Sequence, residues 1–272
     1  MLSLNTNTSS LIVQKNLKKA TAGIENALRQ LTTGYRINSA KDDPANYHIM
    51  RQMEVKLKAW DVAQDNINIG NNMLETASSS AELIFTHVTR IRNLCEQACN
   101  GTYGEQSINA MKVEITGRLD EINRIRECTE FGDIKIFGDG KTSNPITLQI
   151  GISSNNSSKL NIDTALILPE LDNFADYDIT SPETLDKLDS IINSLSIYQT
   201  KIGASQNRLN YALDFAEVMT NNLTSSLSTI RDADIAKASS ELIRNQILQQ
   251  ACVTLLSTAN QMPALALQLL PH

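Results

Sequence analysis

The chain has 272 residues, of which 41% are hydrophobic and only 4% aromatic, and its formal net charge is −6. Globular enzymes usually build cores and pockets with more aromatic side chains, and an acidic chain without a lysine or arginine cluster is not typical of nucleic-acid-binding proteins. No stretch of 18 apolar residues occurs, so the sequence predicts no membrane-spanning helix.

The first predicted element is an amphipathic helix within residues 1–34. Gly34 suits its end, because glycine adopts the left-handed conformation of a helix C-cap. Residues 1–14 carry no charged side chain and no basic segment before an apolar stretch, so no cleaved signal peptide is expected. The apolar residues step by three and four positions, as one helix face requires: Leu17, Ala20, Ile24, Ala27 and Leu31.

Two further helices are predicted in the next hundred residues. Asp43 suits the N-cap of the second helix, and Pro44 suits its first position. Apolar residues then recur every three or four positions to about residue 99, which predicts a helix of roughly 80 Å with Gly70 as a weak point. After a turn at residues 100–104, a third helix is predicted over residues 106–129.

Residues 131–168 show the two-residue period of β-strands instead. Apolar positions alternate with polar ones at Ile134 and Ile136, and again at Leu160 and Ile162. This region therefore predicts a small antiparallel β-meander.

A long helix is predicted from Pro182 to about Ile230. Its apolar residues keep a strict 4,3 register over about six heptads, which is typical of a coiled-coil seam. The partner of this seam is either another long helix of the same chain or a neighbouring subunit. The seam residues are Leu188, Ile192, Leu195, Ile202, Leu209, Leu213, Ala216, Leu223, Leu227 and Ile230, with Gln199, Gln206 and Thr220 in the remaining positions.

A last helix is predicted after the break at residues 231–234, and we expect Pro263 to stop it at about Gln261. Residues 245–271 contain no charged side chain. Because ordinary termini fray into water, two uncharged ends rich in apolar and amide side chains predict that the termini pack together inside an assembly.

Four cysteines, Cys95, Cys99, Cys128 and Cys252, match neither a disulfide scaffold nor a zinc motif. Cys95 and Cys99 lie one helical turn apart, which is farther than a disulfide allows. We interpret all four as free thiols and expect no cofactor; a metal or redox role that includes His87 is the alternative.

Several segments resemble bacterial flagellins. Residues 36–43 read RINSAKDD, residues 202–209 read IGASQNRL, and residues 247–251 read ILQQA. Ala259-Asn260-Gln261 and the strand Leu148-Gln149-Ile150-Gly151 also resemble flagellin segments, and all five occur in the order that the family has. The resemblance covers nearly the whole chain.

The resemblance implies a mainly α fold, a long antiparallel helical rod or coiled coil with a small β-meander. Flagellin termini pair as an inner coiled-coil domain, here residues 1–43, which include a connector, with residues 231–272. Residues 44–230 would form the rod domain. Only about 50 residues separate Cys128 from Ser181, so no variable outer domain is expected.

The implied function is that of a structural subunit, not an enzyme, which polymerises into the extracellular flagellar filament used for swimming. Flagellins are exported unfolded by the flagellar type III system. The implied partners are further copies of the chain, an export chaperone, and cap and junction proteins, with no nucleic acid and no membrane.

The resemblance and the apolar pattern together give two sets of candidate residues. The candidate polymerisation core is Leu4, Leu11, Leu17, Ile24, Leu31, Leu242, Ile247, Leu255 and Leu256. The candidate inter-domain connector is Arg36, Asn38, Lys41, Asp42 and Asp43.

A Toll-like receptor of animal innate immunity recognises the flagellin rod, and the resemblance extends to that region. Arg90, Leu94 and Glu114 match the family pattern, whereas Asn93 replaces the usual glutamate. The candidate receptor-binding residues are Arg90, Arg92, Leu94, Gln97, Glu114 and Arg118.

Three other functions are compatible with parts of the sequence. A hook–filament junction protein would share the terminal helices. An intracellular coiled-coil scaffold would share the heptads, but it explains neither the uncharged ends nor the meander. A thiol enzyme would use Cys95 or Cys128 with a histidine base, and the only histidines are His48, His87 and His272.

Overall fold

The computed structural model of the chain describes residues 7–138, 145–172, 174 and 177–268, with the side chains of residues 170, 172 and 262–268 left aside. Within these ranges the chain is mainly helical. The helices are α1 (Thr8–Thr33), α2 (Pro44–Ala98), α3 (Glu105–Cys128), the single turn α4 (Pro169–Asp172), α5 (Pro182–Arg231) and α6 (Ile235–Gln268). The strands are β1 (Glu130–Phe131), β2 (Ile134–Lys135), β3 (Pro145–Gln149) and β4 (Lys159–Asp163).

The chain divides into two compact units. A terminal unit contains residues 1–55 and 222–272, and a central unit contains residues 56–221. The division falls inside α2 and α5, so each of these long helices contributes to both units.

The central unit is organised by the antiparallel pairing of α2 and α5. Side-chain hydrogen bonds join Gln64 to Thr220 (3.2 Å), Asn71 to Asn210 (3.1 Å) and Glu82 to Gln199 (2.7 Å). Further along, Arg92 and Asp189 form an ion pair at 2.6 Å. As the residue number rises along α2, the number of its partner on α5 falls by a similar amount, as antiparallel helices require. The seam of α5 therefore has its partner within the same chain.

The core of the central unit is formed by the seam residues together with α3 and the segment after β2. Ile84 and Leu195 are fully buried, as is Ile122 of α3. Ile136 and Phe137 are both buried in succession. The two-residue strand period therefore ends there.

The strand region forms two separate two-stranded antiparallel sheets within the described residues, β1 with β2 and β3 with β4. In the second sheet Ile146 faces Ile162 and Leu148 faces Leu160. A buried hydrogen bond from the Thr164 hydroxyl to the Ile136 carbonyl (2.7 Å) ties the segments that follow β2 and β4.

Gly70, predicted to be a weak point of α2, has a packing role. A Cβ atom at this position would lie 2.5 Å from Leu148 Cδ1 and 3.3 Å from Leu209 Cδ1. Because Gly70 has no side chain, Leu148 of the β3–β4 sheet can pack directly against α2. This accounts for the presence of a residue that is otherwise unfavourable in a helix.

The predicted helix boundaries are mostly found in the structure. Gly34 has φ +73° and its N–H donates to the Gln30 carbonyl (2.8 Å), as a C-cap requires. The Asp43 side chain accepts from the Asn46 N–H (3.1 Å), so it caps α2 in front of Pro44.

The end of α6 was predicted wrongly. The helix does not stop at Gln261 but continues through Pro263 to Gln268. A proline removes one backbone hydrogen bond and costs about 3 kcal/mol, yet the residues that follow it are alanine and leucine, which favour helix strongly.

Among the described helices, none is both long and apolar enough to cross a membrane.

Two neighbouring residues of α2 provide a matched test of the core. Ile84 is 0% exposed and Leu83 is 55% exposed. We expect Ile84→Ala to lower the free energy of unfolding by about 2–5 kcal/mol, because it leaves a cavity, and Leu83→Ala to change it by less than about 0.5 kcal/mol. Urea unfolding followed by circular dichroism measures both. Equal effects would contradict the packing of α2 described above.

Candidate functional site

The two helices of the terminal unit, α1 and α6, pack along a seam of small residues. Ala20 and Ala27 of α1 are buried, as are Ala238, Cys252 and Ala259 of α6. The three α6 residues lie seven or fourteen positions apart, which is the heptad spacing of a coiled coil. Small side chains let the two backbones approach closely.

Polar contacts fix the register of this seam. The Asn7 amide donates to the Ala259 carbonyl (2.7 Å), and the Ser10 hydroxyl contacts Asn260 Oδ1 (2.9 Å). Gly23 lies against Asn245, since a Cβ at Gly23 would be 2.5 Å from Asn245 Nδ2. A slip of the helices would break these contacts, so the seam is specific as well as close.

The small seam leaves large apolar side chains on the outside of α1 and α6. Leu11 is 56% exposed, Ile247 60% and Leu255 55%. Other large apolar residues of the two helices are also exposed: Ile12, Leu28, Ile235, Ile243, Leu248 and Val253. So many large apolar side chains exposed on one helix pair indicate an interaction site.

The described members of the candidate polymerisation core are divided between the outside of the helix pair and the edges of its seam. Leu11, Ile247 and Leu255 are exposed, and Leu4 falls outside the described residues. The remaining members are half-buried: Leu17, Ile24, Leu31, Leu242 and Leu256. Sequence reasoning placed Ala20 and Ala27 on the packed face of α1, but it missed Gly23 and, on α6, Ala238, Cys252 and Ala259, although the heptad spacing of the last three was visible.

A groove of about 510 Å³ runs along the same helix pair. Its lining mixes apolar and amide side chains, including Leu17, Gln249 and Val253. This lining carries no charged side chain, so another uncharged helix would match it chemically.

The candidate connector binds the junction between α5 and α6. The Arg36 guanidinium donates to the Ile230 carbonyl (2.5 Å), and the Arg36 N–H donates to the Arg231 carbonyl (2.6 Å). The Ala233 N–H donates to the Gly34 carbonyl (2.9 Å). The carbonyls at the end of α5 are thus satisfied by the connector.

Arg231 completes this junction, and sequence reasoning did not single it out. Its guanidinium lies 4.2 Å from the Tyr35 ring centroid, 3.5 Å from Glu54 and 3.5 Å from Asp232. These contacts join three segments of the terminal unit. An arginine among acidic and aromatic residues far apart in sequence gives no recognisable motif.

The two acidic residues of the connector have structural roles. Partial burial raises the pKa of Asp42, but hydrogen bonds from the Ser39 and Asn38 N–H groups more than offset this and lower it overall. The pKa of Asp43 is lowered by the N–H and amide of Asn46. Asn38 also bonds the Tyr35 carbonyl, whereas Lys41 is exposed beside a neighbouring pocket.

Three candidate receptor-binding residues come together between α2 and α3. Glu114 accepts hydrogen bonds from Arg90 (3.0 Å) and from Arg118 (2.9 Å). These two guanidinium groups hold the pKa of Glu114 below its usual value. All three remain at least partly exposed, so they form one accessible charged cluster.

The other three candidates lie elsewhere on α2. Arg92 pairs with Asp189, and this lowers the pKa of the Asp189 carboxyl. Gln97 is exposed. Leu94 is 2% exposed, because it packs into the core beneath the helix. Leu94 is therefore corrected from a contact residue to a residue that supports this surface from below.

The cysteines supply no catalytic arrangement among the described residues. All four are free, and burial raises the pKa of the Cys95 thiol to about 11. The described His, Cys, Asp and Glu side chains form no cluster able to hold a metal ion.

Comparisons with known proteins point to one family. A model described as the bacterial flagellin N-terminal helical region matches residues 4–142, and the corresponding C-terminal model matches residues 185–270. The flagellin of Halalkalibacterium halodurans is 32% identical, over 90% of this chain and 91% of its own length. The flagellin of Bacillus subtilis is 31% identical, over 98% and 99%.

One solved structure shares the fold. It is described as a flagellar hook-associated protein from Vibrio parahaemolyticus, with a TM-score of 0.50 and 13% identity, over 71% of this chain and 97% of its own. At this identity the likeness concerns the fold alone.

The α1–α6 seam can be tested at Gly23. Gly23→Ala places a methyl group against Asn245 and should weaken the helix pairing by about 1–3 kcal/mol. Hydrogen exchange of the α1 amides reports the loss, and adding Asn245→Ala should restore protection.

Gly203→Ala is the matched control, because no atom lies within 4 Å of a Cβ at that helical position. It should stabilise the chain by up to about 1 kcal/mol. Unchanged protection in Gly23→Ala, or failure of the second substitution to restore it, would show that Gly23 does not set the helix separation.

Proposed function

The chain belongs to the bacterial flagellin family, and we propose that it polymerises through the apolar side chains that α1 and α6 leave exposed. As a flagellin it is a structural subunit of the extracellular flagellar filament and serves motility; it is not an enzyme. The observation that carries the proposal is the exposure of Leu11, Ile247 and Leu255 around a seam of small residues.

A filament requires contacts that repeat without closing. The exposed faces of α1 and α6 carry different residues, so copies can associate through unlike surfaces. Burial of one aliphatic side chain contributes about 1.5–3 kcal/mol. A few such residues per neighbour suffice to hold a polymer in which every copy makes the same contacts.

We also propose the functional division into an inner coiled-coil domain (residues 1–43 and 231–272) and a rod domain (residues 44–230). The helix breaks at residues 34–43 and 232–234 support these boundaries, since the connector and the α5–α6 junction meet there. The two compact units of the chain, by contrast, divide within α2 and α5.

Several partners are proposed on family membership alone. They are the type III export system that passes the chain unfolded, an export chaperone, and cap and junction proteins. The family models and relatives match flagellins over nearly the whole chain, which favours the filament subunit over the junction protein.

Recognition by an animal Toll-like receptor is a further proposal. The accessible cluster of Arg90, Glu114 and Arg118 supports it, together with the exposed Gln97. Arg92 belongs to the same helix but its guanidinium is held by Asp189. Leu94 contributes by supporting the helix surface.

The polymerisation proposal is tested with Leu11→Ser and Ile247→Ser. Both side chains are exposed in the single chain, so secondary structure and unfolding of the monomer should be unchanged. The critical concentration for seeded filament growth should rise roughly tenfold or more, because a buried contact of about 1.5–3 kcal/mol is lost. Sedimentation and electron microscopy measure it.

Lys18→Ser serves as the control on α1, since Lys18 is exposed and charged. It should polymerise like the parent chain. Normal growth of both serine variants would overturn the assignment of these side chains to the polymer contact.

The receptor proposal is tested with Arg90→Ala in a reporter cell line that expresses the receptor. The concentration for half-maximal signalling should rise at least tenfold, because the substitution removes a charged contact and one of the two arginines that hold Glu114. Arg124→Ala is the control: Arg124 is an exposed arginine of α3 that is likewise paired with a glutamate, Glu121. Unchanged signalling by Arg90→Ala would refute the assignment.

A further inference from the structure

Both long helices of the central unit carry a second apolar stripe that the single chain does not use. On α5 the buried heptad Leu195, Ile202 and Leu209 is followed, two residues later each time, by Ile197, Ala204 and Tyr211. Two residues turn a helix by about 200°, so the second stripe faces away from the seam. Tyr211 is 75% exposed.

The same arrangement occurs on α2. Its buried heptad contains Trp60, Ile67 and Leu74, continues through Ala81, and is again followed two residues later by a second stripe. Val62, Ile69 and Leu83 of that stripe are each more than half exposed, and Thr76 fills the position between the last two. A stripe with heptad spacing fits another helix of the same spacing.

The charges beside the two stripes are complementary. Lys58 and Asp65 lie on α2 beside Val62, and Arg208 and Asp214 lie on α5 beside Tyr211. These four side chains make no ion pair within the part of the chain that the structure describes. Each stripe therefore has free charges at its edge.

A single antiparallel register aligns the two apolar stripes and also the charges beside them. If Val62 faces Tyr211, then Ile69 faces Ala204 and Thr76 faces Ile197, because both stripes repeat every seven residues. The same register places Lys58 near Asp214 and Asp65 near Arg208. Copies related by translation along a filament share one orientation, so α2 of one copy and α5 of the next are antiparallel, as they are within one chain.

We propose that the α2 stripe of one copy binds the α5 stripe of a neighbouring copy in this register. The inference rests on the proposed polymerisation and identifies a contact between central units that is independent of α1 and α6. Because the two stripes differ, the contact is heterologous and does not close.

The test is a charge swap at Asp65 and Arg208. Asp65→Arg and Arg208→Asp should each raise the critical concentration for seeded growth about three- to tenfold, since an attractive pair becomes repulsive at every contact. The chain that carries both substitutions again has an opposite pair at each contact and should return to within about twofold of the parent. Growth is measured at low ionic strength, because salt screens exposed charges.

Glu75→Arg is the matched control on α2, one position before Thr76 and outside the stripe. It should grow like the parent, and all variants should unfold at the parent's temperature. Single variants that grow normally, or a double variant worse than either, would overturn the proposed register. If the parent chain forms no filament, the polymerisation proposal fails and this contact with it.

Discussion

The antiparallel pairing of α2 and α5 is the interaction on which the central unit depends. Neither helix could bury its apolar seam alone, and a 50-residue helix such as α5 is stable mainly through its packed face. The heptad repeat keeps that face aligned over many turns, and polar pairs such as Glu82 with Gln199 fix the register. α3 and both small sheets add to the core along this pair.

The terminal unit also has heptad spacing in its helix seam, but there the large apolar side chains are left largely exposed. The fully buried positions of its seam are alanine, serine and cysteine, so α1 and α6 approach closely while their described leucine and isoleucine side chains stay exposed or half-buried. A seam of small residues contributes little hydrophobic stabilisation. The large apolar side chains are thereby available to other copies, which is what a subunit needs if its strongest contacts are to form on assembly.

The connector explains why a motif rich in polar residues lies between two helices. Arg36 satisfies carbonyls at the end of α5, and Asp42 and Asp43 satisfy N–H groups of the connector and of α2. Arg231 joins Tyr35 and Glu54 at the same place. The charged side chains of the motif and Arg231 thus connect chain segments at a point where α1 and α5 end and α2 and α6 begin.

Local patterns in the sequence determined the helices, their caps at Gly34 and Asp43, the heptad seam of α5 and the family, because each depends on residues close together in the chain. Tertiary packing decided the rest. It buried Leu94, which the sequence had suggested as a receptor-contact residue. It also gave Gly70, expected to weaken α2, a packing role, because Leu148 packs against the helix at this position. It also left Leu11, Ile247 and Leu255 exposed beside the α1–α6 seam, and α6 continues through Pro263. Periodicity shows that a helix has an apolar face, but the partner's shape decides which residues on that face are buried.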